Sequence, residues 1–139
     1  MMEQSPEERF VSSYIRKSRR ERLLYELTTP KKRYRGLSRF CHRSGDLIDP
    51  AKIRLQGGDL DRQPAFERFV RTHCGLCDIL SPDGALDGLR LPLSDAVEAA
   101  IACFDAVLIL GDGYAVVFGE VEMRGREKVL LTERGNNDE

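Results

Sequence analysis

Apolar residues near the start of the chain recur at the three- and four-residue intervals of an α-helix. This spacing is followed by Phe10, Val11, Tyr14 and Ile15. Ser5 precedes the pattern and Glu8 lies three residues further on, so the two side chains are placed to form a capping box at the helix start. The pattern predicts one long helix from Ser5 to the threonines before Pro30, because a residue that precedes proline disfavours helical geometry.

Three further helices are predicted from the same periodicity and from the residues that bound it. They cover residues 30–45, 64–74 and 95–103 approximately. Proline suits the first turn of a helix, where its missing N–H costs no hydrogen bond, and glycine commonly ends one. Pro30 and Pro64 begin the first two of these helices, glycines mark their ends, and Ser94 is placed to cap the third.

The C-terminal third changes from helical spacing to short runs of strand-forming residues. These runs are residues 106–110, 114–121 and 128–132. Turns that contain glycine separate them at 111–113 and 124–126, which is typical of an antiparallel meander. Gly119 inside the middle run suggests a β-bulge, and residues 76–80 suggest one more short strand.

The order of these elements predicts an α+β fold in which N-terminal helices pack on a C-terminal antiparallel β-meander. A length of 139 residues is typical of one domain. We therefore expect a single domain over residues 1–134, with a helical part at about 5–103 and the meander at about 104–134. The polar residues 135–139 are expected to form a disordered tail.

Composition narrows the class of protein. With 41% hydrophobic and 32% charged residues, the chain resembles ordinary globular proteins rather than disordered ones. It contains no run of about 18 uncharged apolar residues, and its acidic start lacks the apolar segment of a signal peptide. These features predict a cytoplasmic protein that does not contact membranes and whose four cysteines are reduced.

Charge is distributed unevenly along the chain. Residues 1–44 carry 12 Lys and Arg against five Glu, a net charge of +7, whereas residues 45–139 carry 10 basic and 18 acidic residues, a net charge of −8. Such asymmetry indicates either an interaction surface or neutralisation within the fold or across a homodimer. The interaction hypothesis predicts a basic helical face that binds nucleic acid or an acidic protein, with steep salt dependence for nucleic acid.

Eight residues are the candidates for this partner-binding face. They are Arg16, Lys17, Arg19, Arg20, Lys31, Lys32, Arg33 and Arg35. Four aromatic residues are interleaved with the basic run: Tyr14, Tyr25, Tyr34 and Phe40. Exposed aromatic rings among basic residues are typical of surfaces that stack single-stranded bases, but at helical spacing we interpret these four as core residues.

Two clusters of soft ligands suggest zinc as a cofactor. They comprise Cys41 and His42 in one cluster and His73, Cys74 and Cys77 in the other. The Cys-x-x-Cys segment resembles half of a zinc knuckle, and the first cluster is a source of further ligands from another helix. Adjacent residues on a helix point about 100° apart, so only one member of each neighbouring Cys–His pair can readily face the same ion. The alternative is that these are buried thiols and helix-end histidines.

A second hypothesis places chemistry on the C-terminal strands. Asp105 or Asp112, together with Glu120 and Glu122, has the outline of a magnesium-dependent nuclease site. Glu120 and Glu122 share one face of a strand because side chains alternate with a period of two. The nuclease pattern requires a lysine at the position of Glu122, however, and cross-strand pairing of exposed acids with basic residues is the simpler interpretation.

The sequence contains no phosphate-binding glycine loop and no arrangement of a hydrolase triad. We therefore predict a non-catalytic intracellular binding or regulatory module with a basic N-terminal face and an acidic C-terminal half. A small zinc-stabilised domain and a metal-dependent nuclease are the alternatives.

Overall fold

The computed structural model describes residues 4–73, 75–103, 105–121 and 125–134. Within these ranges the chain forms six α-helices: α1 (Pro6–Tyr14), α2 (Arg20–Thr28), α3 (Pro30–His42), α4 (Ser44–Leu47), α5 (Pro64–Thr72) and α6 (Leu93–Cys103). It also forms six strands: β1 (Ile53–Gln56), β2 (Leu76–Leu80), β3 (Arg90–Pro92), β4 (Ala106–Leu110), β5 (Tyr114–Val121) and β6 (Gly125–Thr132). Short 3₁₀ turns lie at Lys17–Arg19, Pro50–Lys52 and Leu60–Arg62. The predicted α+β fold is confirmed.

The strands form one antiparallel sheet in the order β1-β6-β5-β4-β2-β3. The meander β4-β5-β6 and the strand β2 are the strands that the sequence predicts. Strands β1 and β3 form the two edges of the sheet and were not predicted, because they lie in a part of the chain that the sequence assigns to helices and loops. They have four and three residues, which is too short for a clear alternating pattern, and Pro92 lies in the edge strand β3.

Helices cover both faces of the sheet. Helices α1 to α4 pack on one face, where Val107 and Ile109 of β4 belong to their apolar core. Helices α5 and α6 pack on the other face, where Ala106, Leu108 and Leu110 of the same strand are buried. This explains why β4 is an unbroken apolar run, because a strand that is covered on both sides has no polar face.

The prediction of one long first helix is wrong. Helix α1 ends at Tyr14, and Ile15 is extended and forms an antiparallel bridge with Ile48. The backbone N–H of Arg16 donates to the carbonyl of Leu47 at 2.8 Å, and the N–H of Asp49 donates to the carbonyl of Tyr14 at 2.8 Å. Backbone pairing with a segment more than thirty residues away therefore replaces the local helical hydrogen bonds at this point.

The helix starts agree with the sequence better than the helix ends. Ser5 and Glu8 form the predicted capping box, and helices α3 and α5 begin at their prolines. The predicted end at Gly45 is wrong, because the backbone leaves helical geometry at Arg43 and Gly45 lies inside the short helix α4. The starts of α1, α3 and α5 have local chemical signals, whereas α2 begins at Arg20 without a side-chain cap and α6 begins at Leu93, one residue before the predicted cap Ser94.

The predicted bulge at Gly119 is also wrong. The pairing of β5 with β6 keeps one register along its whole length, with Gly119 opposite Glu127. A Cβ atom at Gly119 would lie 2.6 Å from the carbonyl oxygen of Cys41, at the end of α3. Glycine is required here because a helix backbone lies directly against the strand.

We expect Gly119→Ala to destabilise the protein by about 1–3 kcal/mol, because the methyl group would push α3 away from the sheet. The measurement is the free energy of unfolding in urea. Gly84→Ala is the matched control: nothing lies within 4 Å of its Cβ position, so a change within about 0.5 kcal/mol is expected. Equal effects of the two substitutions would contradict the packing explanation.

Candidate functional site

Part of the N-terminal positive charge is neutralised within the fold. The Nη2 atom of Arg9 lies 2.9 Å from an Asp78 carboxylate oxygen. Two further arginines, Arg33 and Arg39, form close pairs with carboxylates as well. The four ion pairs that these three arginines form tie the basic helices to one another and to the acidic half of the chain, so the charge asymmetry is only partly available to another molecule.

Arg33 is one of the candidate partner-binding residues, but its guanidinium is directed inward. Nε and Nη2 donate to the two carboxylate oxygens of Asp87 at 2.7 and 2.8 Å, and Nη1 donates to Glu7 at 2.7 Å and to the Leu27 carbonyl at 2.9 Å. The hydrogen bond to Asp87, assisted by that to Glu7, raises the pKa of Arg33 above its usual range. Arg33 therefore joins α3, α1 and the loop between β2 and β3, and we leave it out of the candidate site.

Lys17 and Arg20 lie on a different side of the helices. They line a cavity together with the carboxylate residues Glu8 and Glu21. The Nε of Arg20 also donates to the Ile15 carbonyl at 2.9 Å. Two basic and two acidic side chains balance each other there, so this cavity has no net charge with which to attract an anion.

A cleft of about 480 Å³ lies at the open end of the hairpin that α2 and α3 form. Its lining residues are Ser18, Arg19, Arg22, Arg39, Arg43, Asp46 and Leu47. We call it the arginine groove, after its four arginines. Asp46 is the only acidic residue among those lining residues, so positive charge predominates in the cleft.

Glu26 holds one of these arginines in place. Its side chain is 11% exposed, and its carboxylate accepts hydrogen bonds from both Nη atoms of Arg39, at 2.9 Å from Nη1, while Arg22 Nε lies 4.0 Å away. The helices are close enough for this contact because Gly36 faces Glu26, where a Cβ would come within 2.8 Å of the Glu26 Cβ. Arg39 thus forms a fixed floor of the groove.

The other three arginines are exposed at the rim of the groove. Within the described ranges, no carboxylate forms an ion pair with Arg19 or Arg43, and Arg22 has only the long contact with Glu26. An arginine in water that has no fixed partner is available to form paired hydrogen bonds with the oxygens of a phosphate or carboxylate. The groove therefore has the composition of an anion-binding site.

Basic residues continue from the groove along α3. Arg35 precedes Arg39 by one turn, and Lys32 lies a further three residues back on the same helix face. The Nζ atom of Lys32 lies 6.0 Å from the ring centroid of Tyr25, which is 56% exposed. An accessible aromatic ring therefore lies beside the basic ridge of Lys32, Arg35, Arg39 and Arg43.

The four interleaved aromatics divide into two pairs. Tyr14 and Phe40 are buried, as predicted, but Tyr25 and Tyr34 are exposed, and the interpretation of these two as core residues is wrong. The inward side of α2 carries Leu23, Glu26 and Leu27. Tyr25 lies two positions from either leucine, about 200° around the helix, and so points outward.

The remaining basic candidates, Arg16 and Lys31, are exposed outside the groove. Arg22, Arg39 and Arg43 line the groove but are not among the sequence candidates. A signal for two of them exists in the sequence, because Arg35, Arg39 and Arg43 recur at four-residue intervals on one helix face.

The structure separates the two predicted zinc-ligand clusters. Cys41 is buried in the core beneath α1 to α4, whereas Cys77 is buried in the core on the opposite face of the sheet. Burial raises the pKa of both thiols, that of Cys77 to about 12, which disfavours the thiolate form that zinc binds. His42 is exposed, His73 is half-buried, and Cys74 lies outside the described residues. In the described part of the chain no three potential ligands form a metal-binding group, and zinc binding stays a prediction from the sequence.

The structure separates the two aspartates of the nuclease hypothesis. Asp105 precedes β4 and Asp112 follows it, so they lie at opposite ends of this strand. Ala106 pairs with Phe118, which puts the backbone of Glu120 at the Asp105 end of the sheet. Glu122 lies outside the described residues. The register therefore leaves Asp105 and Glu120 as the pair to which this hypothesis applies.

Comparisons with protein-family models, with curated proteins and with solved structures found no match for this chain. No helix among the described residues has the length and apolar character to cross a membrane.

We expect Arg33→Gln to lower the free energy of unfolding by about 1–3 kcal/mol, because it removes three charge-assisted hydrogen bonds and leaves two partly buried carboxylates without their partner. Urea unfolding measures the change. Arg35→Gln, two residues away and exposed, is the matched control and should change stability by less than about 0.5 kcal/mol. The inward role of Arg33 is refuted if the two variants are equally stable.

Proposed function

We propose that this chain is a non-catalytic binding protein whose arginine groove binds single-stranded nucleic acid. The observation that carries the proposal is the group of exposed arginines at the groove, which the described carboxylates of the chain leave largely unneutralised. The strand would run from the groove along the basic ridge of α3 toward Tyr25. The partner-binding residues in this proposal are Arg19, Arg22, Lys32, Arg35 and Arg43, with Tyr25 as the stacking residue.

Phosphate recognition supports the choice of ligand. Guanidinium groups donate paired hydrogen bonds to phosphate oxygens and keep their charge at all physiological pH values. Arg35, Arg39 and Arg43 are each four residues apart, about 6 Å along the helix axis. Phosphates of one extended strand can therefore contact Arg35 and Arg43 in turn, with Arg39, which is paired with Glu26, between them.

Tyr25 supports a single strand rather than a duplex. Its ring is accessible and lies next to Lys32. Unpaired bases expose their faces to such rings, and each base–aromatic stack contributes roughly 1–3 kcal/mol. The bases of a duplex are already stacked on each other, so Tyr25 has no comparable role there.

The test is fluorescence anisotropy of a labelled oligothymidine and a mixed-sequence RNA across a salt series. We expect the double variant Arg22→Gln with Arg43→Gln to bind at least about tenfold more weakly. It should also reduce the slope of log affinity against log salt by about 1.4, the value for two phosphate contacts on a single strand. Arg62→Gln, an exposed arginine remote from the groove, is the control and should leave both quantities unchanged.

Tyr25→Ala separates stacking from charge. It should weaken binding roughly 5- to 150-fold without changing the salt slope, because no phosphate contact is lost. Absence of salt-dependent binding to either oligonucleotide would overturn the proposal. Equal binding of polyglutamate, with no effect of Tyr25→Ala, would also overturn it and would favour an acidic protein partner.

A further inference from the structure

A second cleft, of about 420 Å³, lies on the opposite face of the sheet from the arginine groove. It is bounded by α5 on one side and by strands β1, β5 and β6 on the other, and Phe69 and Leu130 of the α5–α6 core form part of its wall. Small-molecule sites commonly occupy about 300–1,000 Å³, so the cleft has room for a compact ligand.

The mouth of this cleft is cationic. Arg54 of β1 and Arg68 of α5 both line it and both are exposed. Across the described residues, neither guanidinium forms an ion pair with a carboxylate. Arg54 comes from β1 and Arg68 from α5, so two separate elements contribute a guanidinium to the same cleft, and both are available to one anionic group.

The wall of the cleft is aromatic. The rings of Phe69 and His73 stack with centroids 4.0 Å apart, and Tyr114 meets each of them at 5.0 Å in an edge-on arrangement. Three mutually packed rings form a continuous aromatic surface, whose apolar part is Phe69 and Tyr114, and aromatic pairs add to the stabilisation from burial alone.

A hydrogen bond and a longer contact with a carboxylate orient His73 in this wall. Its Nδ1 lies 2.9 Å from the carbonyl oxygen of Phe69, to which it donates in the tautomer that has its hydrogen there, and 3.1 Å from the hydroxyl of Thr72. Its Nε2 lies 3.7 Å from a carboxylate oxygen of Asp112, whose side chain is half exposed. The imidazole is thus held as a wall component, and the two arginines remain the anion-binding groups of the cleft.

We propose that this cleft binds a small aromatic anion, a phosphate ester or a carboxylate, with its charged group between Arg54 and Arg68 and its ring against Phe69 and Tyr114. Two unpaired guanidiniums beside an apolar wall match a ligand that is charged at one end and flat at the other. The site is independent of the proposed nucleic-acid function, since it lies on the other face of the sheet and shares no lining residue with the arginine groove.

Calorimetric titration of the full chain with phenyl phosphate tests the proposal. We expect binding with a dissociation constant of about 1 mM or tighter. Arg54→Gln and Arg68→Gln should each weaken it about tenfold, the usual effect of losing one charge-assisted hydrogen bond. Arg62→Gln is the matched control outside the cleft and should leave the affinity unchanged.

Three other probes separate the parts of the ligand. Inorganic phosphate should bind about tenfold more weakly than phenyl phosphate, because it lacks the ring that packs on the aromatic wall. Benzyl alcohol should not bind detectably, since it has no charge for the arginines. Benzoate tests whether the ligand is a carboxylate or a phosphate ester. If benzoate binds more tightly than phenyl phosphate, the ligand is assigned as a carboxylate. If benzoate binds more weakly, the ligand is assigned as a phosphate ester.

Several results would overturn the assignment. Undetectable binding of both phenyl phosphate and benzoate is one, and benzyl alcohol binding as tightly as either anion is another. A loss of affinity in Arg62→Gln equal to that in Arg68→Gln would show non-specific charge attraction. A loss in the double variant of Arg22 and Arg43, with none in Arg68→Gln, would place the ligand in the arginine groove instead.

Discussion

Burial of both faces of the central strands is the constraint on which the rest of this structure depends. Every residue of β4 is buried, and its side chains enter two separate cores. A sheet with two apolar faces needs a layer of helices on each side. The basic N-terminal helices therefore have to place their apolar side on the sheet, which directs their arginines and lysines outward or toward each other. The basic surface is a result of this packing.

Much of the fold could be predicted because its signals are local. The strand β2, the strands β4 and β5, and the helix starts at Ser5, Pro30 and Pro64 follow from periodicity and capping chemistry. The break after Tyr14 could not be predicted, since it depends on backbone partners at residues 47–49. The role of Gly119 could not be predicted for a similar reason. The carbonyl group that leaves no room for a side chain at Gly119 belongs to Cys41, which is distant in the sequence.

Composition alone does not predict which charged residues are paired within the fold and which are exposed. Arg33 and Arg35 are two positions apart and chemically identical, yet one is enclosed by Asp87 and Glu7 and the other is exposed. Net charge correctly indicates that basic residues are concentrated in the helices, but it does not show which of them meet carboxylates from distant segments. The cleft at Arg54 and Arg68 had no sequence signal, because it is formed where a strand and a helix face each other.

The pairing of Glu26 with Arg39 gives the groove two unlike parts. Arg39 is already held in place, so in the proposed binding mode it would contribute without a further loss of side-chain entropy, which is up to about 2 kcal/mol for an arginine. Two of its donors are occupied and its charge is compensated by Glu26. In the proposed binding mode, long-range attraction would therefore come from the exposed arginines at the rim, and the fixed guanidinium of Arg39 would contribute the shape of the floor. If the groove binds an anion as proposed, attraction and shape recognition would come from different side chains of one small cleft.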